Sequence, residues 1–320
     1  MTPPRFLQLD DPAAGEAPAA EIVRGLLARP STLPPKFFYD ALGSTLFDAI
    51  TLLPEYYPTR TEAAIVAAQG AGICAAVVER LGAGCSLVDL GAGNCRKAAW
   101  FFGGLPLSRY VAVDISAAFL RDALAEQQKL HPTLEMVGVG LDFSRRLALP
   151  AELVGERALV FYPGSSIGNF TPDEALGLLR QARTIAPQAA LLIGVDLVKD
   201  RAVLEAAYDD AVGLTAAFNL NLLRHANRLV GCDFDPRQWR HVALFDEPRS
   251  RIEMHLEARA DLVVRWPGGE RRYAAGERIH TENSYKWRLD DFAALLRDAG
   301  YVHVQHWTDE RGWFALMLAS

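Results

Sequence analysis

The sequence predicts an α/β protein: a doubly wound parallel sheet with a smaller α+β unit inserted into it. Three observations carry that prediction. Between residues 87 and 196, short apolar runs alternate with stretches of helical period, as successive βα units do. The first run, in S-L-V-D-L-G-A-G-N-C-R-K, breaks into a glycine turn, the form of a parallel strand that delivers a ligand-binding turn. Residues 197–289 then separate the fifth strand from the next helix, where one helix would suffice.

Composition narrows the class. The chain has 320 residues, enough for roughly two domains. Half of the residues are hydrophobic and 22% are charged, as in ordinary folded proteins. A net charge of -6 gives no basic footprint for nucleic acid. Cys74, Cys85, Cys95 and Cys232 show no C-x-x-C spacing and no histidine at ligand spacing. They read as reduced thiols of a cytoplasmic protein, with neither a disulfide nor a metal expected. The N-terminus has no apolar core of signal-peptide length, and the longest unbroken apolar run, 189–195, is too short to cross a membrane. No membrane partner is expected.

The elements follow in order. Residues up to about 20 are rich in Ala, Pro and Gly and read as loosely held. A short helix at 21–28 is ended by Pro30, Pro34 and Pro35. Two short helices then carry Phe37, Phe38, Tyr39, Tyr56 and Tyr57. Phe37 and Phe38 read as core. Tyr39 and Tyr56 are polar-tipped and sit beside charges and helix breaks, where a ligand wall is expected. Thr59 with Glu62 three residues on forms a capping box that opens a helix at 60–81. Strands are expected at 87–90, 110–113, 134–140, 158–162 and 189–196, and helices at 96–102, 117–130 and 172–186. The chain closes with a helix at 290–299 and strands at 302–308 and 313–318 joined by D-E-R-G, an antiparallel hairpin that makes the sheet seven-stranded. Within the insertion, 201–229 reads as helical, and 241–245, 252–258, 262–266 and 277–287 as short strands.

A strand, a glycine turn and a helix put free backbone N–H groups and a positive helix end at one spot. Gly91 and Gly93 let a ligand lie against the backbone. Asp114, 21 residues past Gly93, can accept from a ribose diol. The nicotinamide fingerprint G-x-G-x-x-G needs a sixth-position glycine, and this chain has Arg96 there. With Asp89 ahead of the glycines, the D-x-G-x-G loop resembles the S-adenosylmethionine loop of Rossmann-like methyltransferases; a dehydrogenase loop and a purely structural turn are the alternatives. Lys97 can neutralise a methionine carboxylate, or be a solvated lysine. Asp142 can accept from an adenine amino group while the Phe143 N–H reaches the ring, or Asp142 can cap a helix.

The fourth strand ends F-Y-P-G-S-S-I-G-N-F. Methyltransferases acting on nitrogen place the accepting atom past this strand, and those acting on nucleic-acid amines carry D/N/S-P-P-Y/F there. The departure argues for a small acceptor. Asn169 offers a donor and an acceptor, which suits the amine and carboxylate of an amino acid; capping the helix near Pro172 is the alternative. In I-H-T-E-N-S-Y-K-W a strand period puts His280, Glu282, Ser284 and Lys286 on one face. Glu282 and Ser284 can grip a ring with two nitrogens, or form the wet face of an edge strand.

Six segments then act together: P-P-K-F-F-Y-D-A-L-G-S-T-L-F-D-A-I-T-L-L-P-E-Y-Y-P-T-R-T-E, D-L-G-A-G-N, G-S-S-I-G-N, G-V-D-L-V-K-D, A-A-Y-D-D-A-V-G-L-T-A-A-F-N and T-E-N-S-Y-K. In order and spacing, from about Pro30 onward, they resemble the histidine Nα-methyltransferases of ergothioneine biosynthesis. The resemblance implies a class I methyltransferase domain at 61–196 and 287–320 and a substrate domain at 1–60 and 197–286. It implies S-adenosylmethionine on Gly91, Gly93, Lys97, Asp114, Asp142 and Phe143. It implies L-histidine held at its amine and carboxylate by Asn169 and Tyr208, covered by Tyr39 and Tyr56, and gripped at the imidazole by Glu282 and Ser284, with Met254 in the pocket. Asn283 points away. Tyr39 and Asn169 are the catalytic candidates, Tyr39 or a water it holds relaying the proton. The implied reaction is trimethylation of L-histidine to hercynine by a monomer that uses no metal. The alternatives are another small amino acid or imidazole amine as acceptor, a nicotinamide-dependent oxidoreductase, or a catalytically silent adenosylmethionine-binding module.

Overall fold

The computed structural model describes residues 4–9 and 17–320, so half of the stretch expected to be loosely held lies outside the described residues. The first elements are β1 (Arg5–Gln8), α1 (Pro18–Leu27), β2 (Ser31–Thr32), α2 (Ala41–Ile50) and α3 (Tyr57–Leu81). The alternating stretch comprises β3 (Ser86–Leu90), β4 (Arg109–Asp114), α4 (Ala117–Leu130), β5 (Glu135–Gly140), α5 (Ala151–Val154), β6 (Arg157–Tyr162), α6 (Pro172–Arg183) and β7 (Gln188–Asp196). The insertion holds α7 (Arg201–Ala206), α8 (Leu214–Val230), β8 (Trp239–Asp246), β9 (Arg251–Ala258), β10 (Leu262–Trp266), β11 (Gly269–Tyr273) and β12 (Arg278–Tyr285). The chain closes with α9 (Leu289–Asp298), β13 (Val304–Thr308) and β14 (Phe314–Ala319).

These elements form two compact units. The first joins β1 to Pro58–Val198 and Lys286–Ser320; the second joins the segment ending at Tyr57 to Lys199–Tyr285. In the first unit the strand order is β1-β5-β4-β3-β6-β7-β14-β13. The strands run parallel except β14, which is antiparallel to both β7 and β13. Side chains alternate between the two faces: Val88, Val111 and Val113 enter one buried cluster, Leu87, Tyr110 and Ala112 the other.

Among the described residues this sheet has eight strands, one more than the seven expected. The extra strand is β1, which pairs with β5 from Arg5↔Val137 to Gln8↔Gly140. Four residues are too few to show a period, so the sequence reading left them loose and grouped them with the second unit. Glycines in β5 make the docking fit: a Cβ on Gly138 would lie 2.6 Å from the Phe6 ring, and one on Gly140 would lie 2.3 Å from Gln8 Oε1. Glycine inside a strand marks such a close approach.

Helix α3 begins at Tyr57, ahead of the expected Thr59 cap. Its 25 residues are long and apolar enough to cross a membrane by length and composition. The reading missed this because it searched for unbroken apolar runs, and α3 is apolar on average through alanine and glycine. Here its Ile65, Ile73, Cys74, Ala76, Val77 and Leu81 pack into the core of the first unit. The helix expected at 96–102 is only a 3-10 turn, Ala98–Phe101. Helix α6 begins with a complete capping box: the Glu174 N–H donates to the Thr171 hydroxyl, and the Glu174 carboxylate accepts from the Thr171 N–H.

In the second unit, the strand order is β2-β12-β9-β8, and β10 and β11 make a separate hairpin. Phe38 stacks on Phe218 of α8 at 4.6 Å between ring centroids. The helical stretch expected at 201–229 breaks in two, because Gly213 turns left-handed (φ 81°) and Asp210 accepts from the Leu214 and Thr215 N–H groups at 2.9 and 2.7 Å. Strand β12 carries a bulge: its pairing with β9 slips between His280 and Glu282, which leaves Thr281 as the extra residue.

Candidate functional site

In the first unit the strand β3 runs straight into the glycine loop. Gly91 and Gly93 both turn left-handed, at φ 67° and 50°, a conformation glycine adopts without a Cβ penalty. The Gly91 and Ala92 N–H groups donate to the Val113 carbonyl at 2.9 and 3.1 Å. The Asp114 carboxylate closes the loop, accepting from Gly93 N–H at 2.9 Å and Ser116 N–H at 2.8 Å. Burial raises the Asp114 carboxyl above the usual carboxylate range, and these N–H groups oppose the rise. The residue expected to meet a ribose therefore also holds the loop expected to meet the rest of a nucleoside.

Beneath the loop, the Tyr110 hydroxyl donates to Asp89 Oδ2 at 2.7 Å. Asp89 Oδ1 has no hydrogen-bond partner among the described residues. Burial pushes the Asp89 carboxyl up to about 7, against the pull of the Tyr110 hydrogen bond. Cys95, left-handed at φ 59°, is buried in the same layer, and burial raises its thiol.

Lys97 is not a solvated lysine. Its Nζ lies 2.7 Å from Glu62 Oε2, with a side chain 24% exposed against 0% for Glu62. Glu62 Oε1 accepts from Gly164 N–H at 2.9 Å. This corrects the expected Thr59/Glu62 capping box: the helix starts earlier, and the carboxylate turns inward to Lys97 and Gly164. Asp142 accepts from the Ser144 N–H at 3.2 Å and from the Ser144 hydroxyl. Phe143 stands edge-on to Tyr162 at 5.8 Å. Asn169 ends a 3-10 turn, Ser166–Asn169, and is half-buried. The helix-cap alternative fails there, because Thr171 is the cap of α6.

In the second unit the predicted aromatic and polar residues form a chain of contacts. Tyr39 stands edge-on to Phe47 at 5.9 Å and to Phe218 at 5.8 Å. Phe47 stands edge-on to Tyr56 at 6.0 Å, and Tyr56 to Tyr208 at 6.4 Å. The Tyr208 hydroxyl shares a hydrogen bond with Ser284 Oγ at 2.7 Å. Glu282, paired in register with Met254, and Ser284 are both buried on β12.

The bulge corrects the expected four-residue face. With Thr281 as the extra residue, His280 leaves the face of Glu282 and Ser284 and hydrogen-bonds to Asn283 at 2.9 Å. Lys286 leaves it too: it lies beyond β12, in the first unit, where its Nζ meets Asp196 Oδ2 at 2.8 Å, both groups buried.

Sequence reasoning missed His241, Asn219 and the role of Glu62. Asn219 Nδ2 can only donate, so His241 Nδ1 accepts at 2.8 Å and Nε2–H donates to the Tyr208 carbonyl at 2.8 Å. This neutral ring fixes the backbone of Tyr208, and burial lowers its pKa. Nothing in the spacing of His241 marks it. Glu62 was readable: it stands three residues before Ile65, on the core stripe of an apolar helix.

Comparison with known proteins adds a family. Residues 18–320 match the model of a family described as histidine-specific methyltransferase, SAM-dependent. The chain is 44% identical to the histidine N-alpha-methyltransferase of Mycolicibacterium smegmatis over 96% of each chain. It is 40% identical to the protein of that name from Mycobacterium tuberculosis over 94% of each. It is 31% identical to ergothioneine biosynthesis protein 1 of Neurospora crassa, over 87% of this chain and 32% of that longer one.

Proposed function

The chain belongs to the histidine-specific, S-adenosylmethionine-dependent methyltransferase family, and from that premise we propose that it methylates the α-amine of L-histidine three times, giving hercynine, the first step of ergothioneine biosynthesis. The observation that carries the choice of histidine is the buried pair Glu282 and Ser284 on one face of β12, with the Tyr208 hydroxyl on Ser284. A carboxylate accepts one imidazole N–H, and a hydroxyl can serve either protonation state of the second nitrogen. Met254 and the rings of Tyr39 and Tyr56 supply apolar wall. The first unit is the cofactor domain of this reading and the second the substrate domain.

S-adenosylmethionine supplies a methyl group made electrophilic by its sulfonium. The chain supplies position and a dry setting. Gly91 and Gly93 let the nucleoside approach the backbone, Asp114 faces the ribose, Asp142 and Phe143 the adenine, and Lys97 the methionine carboxylate. Asn169 orients the amine, whose lone pair forms the new N–C bond as the C–S bond breaks. The ammonium of histidine has no lone pair, so one proton leaves nitrogen ahead of each of the three transfers, and Tyr39 or a water it holds passes that proton on. The tyrosine faces attract the quaternary ammonium that results. A monomer in the cytoplasm, without nucleic-acid or membrane partners, belongs to the same proposal. The buried thiols and the net charge of -6 support it.

The test is mass spectrometry of the protein incubated with S-adenosylmethionine and an equimolar mixture of the common amino acids plus histamine. The expected result is methyl gain on histidine alone, ending at the trimethyl betaine. Methylation of another member of the mixture overturns the pocket assignment and leaves the cofactor reading; cofactor binding without any methylation overturns the enzyme reading.

A further inference from the structure

We infer that Glu62 is a positioning residue that ties the cofactor side of the first unit to the turn bearing Asn169, by holding the Lys97 ammonium with one carboxylate oxygen and the Gly164 amide with the other. The inference rests on the methyltransferase reading of Lys97 and Asn169 given above. Glu62 is fully buried near the start of α3, directly before the apolar run 63–68. A carboxylate in such a place is tolerated only when paired and hydrogen-bonded. Both oxygens are used: Oε2 meets Lys97 Nζ at 2.7 Å and Oε1 meets Gly164 N–H at 2.9 Å.

The surroundings are shaped around this pair. A Cβ on Gly194 of β7 would lie 2.3 Å from Glu62 Oε1, and a Cβ on Gly164 would lie 2.8 Å from Lys97 Nζ. Two glycines thus leave the room that carboxylate and ammonium occupy. Gly164 is left-handed at φ 74°, and Ser165 after it at φ 58°. Ser165 Oγ accepts from the Asp196 N–H at 2.8 Å. The turn Ser166–Asn169 follows at once, so the pose of Asn169 is set from a backbone anchored at Gly164 and Ser165. An ammonium has three donors. One is spent on Glu62, and the partly exposed Lys97 head keeps donors for a ligand carboxylate. Cofactor grip and acceptor pose therefore share one buried carboxylate.

The experiment is Glu62→Gln alone, and Glu62→Met in a Lys97→Met background. The amide keeps the shape but has no charge to pair with Lys97 and one acceptor for two donors, so neither contact keeps its strength. Glu62→Gln is expected to weaken S-adenosylhomocysteine binding, read by calorimetry, and to lower kcat at saturating substrates, each by about tenfold or more. In the Lys97→Met background, Glu62→Met, which offers the Gly164 N–H no acceptor, should leave S-adenosylhomocysteine affinity unmoved and still lower kcat through the Gly164 arm. A merely structural ion pair predicts a lower unfolding midpoint with unchanged kcat, and that result overturns the inference, as does a kcat loss that vanishes in the Lys97→Met background. Should Glu62→Gln not fold, Gly164→Ala strikes the same junction from the other side and must give the same joint loss. S-adenosylhomocysteine binding needs no turnover, so failure of the histidine reading shows as wild-type inactivity and leaves the Lys97 arm decided by affinity.

Discussion

Glu282 in the proposed pocket and Asp89 beneath the glycine loop are both buried carboxyl groups, yet they make opposite demands. Removing Glu282 leaves an imidazole N–H without its acceptor, which costs roughly 1–3 kcal/mol. Glu282→Ala is expected to weaken histidine binding about tenfold or more with little change in S-adenosylhomocysteine affinity, measured by titration calorimetry. Asp89 instead disfavours its own charge. Its folded pKa, about 7, lies above the unfolded value, so between about pH 4 and about pH 7 the fold holds a proton that the unfolded chain has released. The Asp89 contribution to stability is present below that window and lost as pH rises through it. Asp89→Asn should flatten this slope in denaturant titrations run at pH 5, 6 and 7; an unchanged slope would count against a protonated Asp89. The sequence made the turn at Gly91 and Gly93 legible, since each has a backbone task that only glycine does without strain, but not the bonds by which Asp114 closes that turn. It did not make the partner of Lys97 legible, because Glu62 is 35 residues away and looked like a local cap.

The bulge at Thr281 decides what β12 presents. Side chains in a strand alternate, so a single extra residue exchanges the faces of everything after it. Deleting Thr281 removes the bulge and lets Glu282 follow His280 directly, which keeps the Glu282↔Met254 pairing and the buried face of Glu282 and Ser284. The expected outcome is histidine binding that survives the deletion, with S-adenosylhomocysteine binding unchanged, both read by titration calorimetry; loss of histidine binding would show that the bulge itself shapes the pocket. The same sheet carries a pH dependence opposite in sign to that of Asp89. Burial, with His280 beside it, depresses the His255 pKa to about 4. Its contribution to stability is therefore full above the unfolded value of about 6.5 and is lost as pH falls toward 4. Elements with a strong local signal were read correctly: β3, β4, β6 and β7 as buried apolar runs and α6 as the helical stretch between β6 and β7. Those that owe their shape to a distant partner were not. One is β1, seated on the glycines of β5; the break between α7 and α8 was missed too, although Asp210 and Gly213 make it locally.

The two units take their residues from interleaved stretches of chain, the second assembled from the segment before Pro58 and the insertion. The ligands should leave separate marks on them. Hydrogen exchange is expected to slow over β3 and the glycine loop with S-adenosylhomocysteine, and over β12 with histidine; one common pattern for both ligands would contradict the assignment of roles. The long insertion announced that a second unit exists. Its closure was hidden, because β2 pairs with β12 through Ser31↔Ile279, nearly the full length of the chain apart. That pairing sets a timetable for synthesis. A ribosome adding roughly 5–20 residues per second finishes Phe38 on the order of ten seconds or more before Phe218, on which that ring stacks. During the wait, Phe37, Phe38, Phe47 and Tyr56 form an apolar segment with no roof, the kind of surface that trigger-type chaperones and aggregation compete for. Expression yield, more than equilibrium stability, is where substitutions in that segment should first be felt.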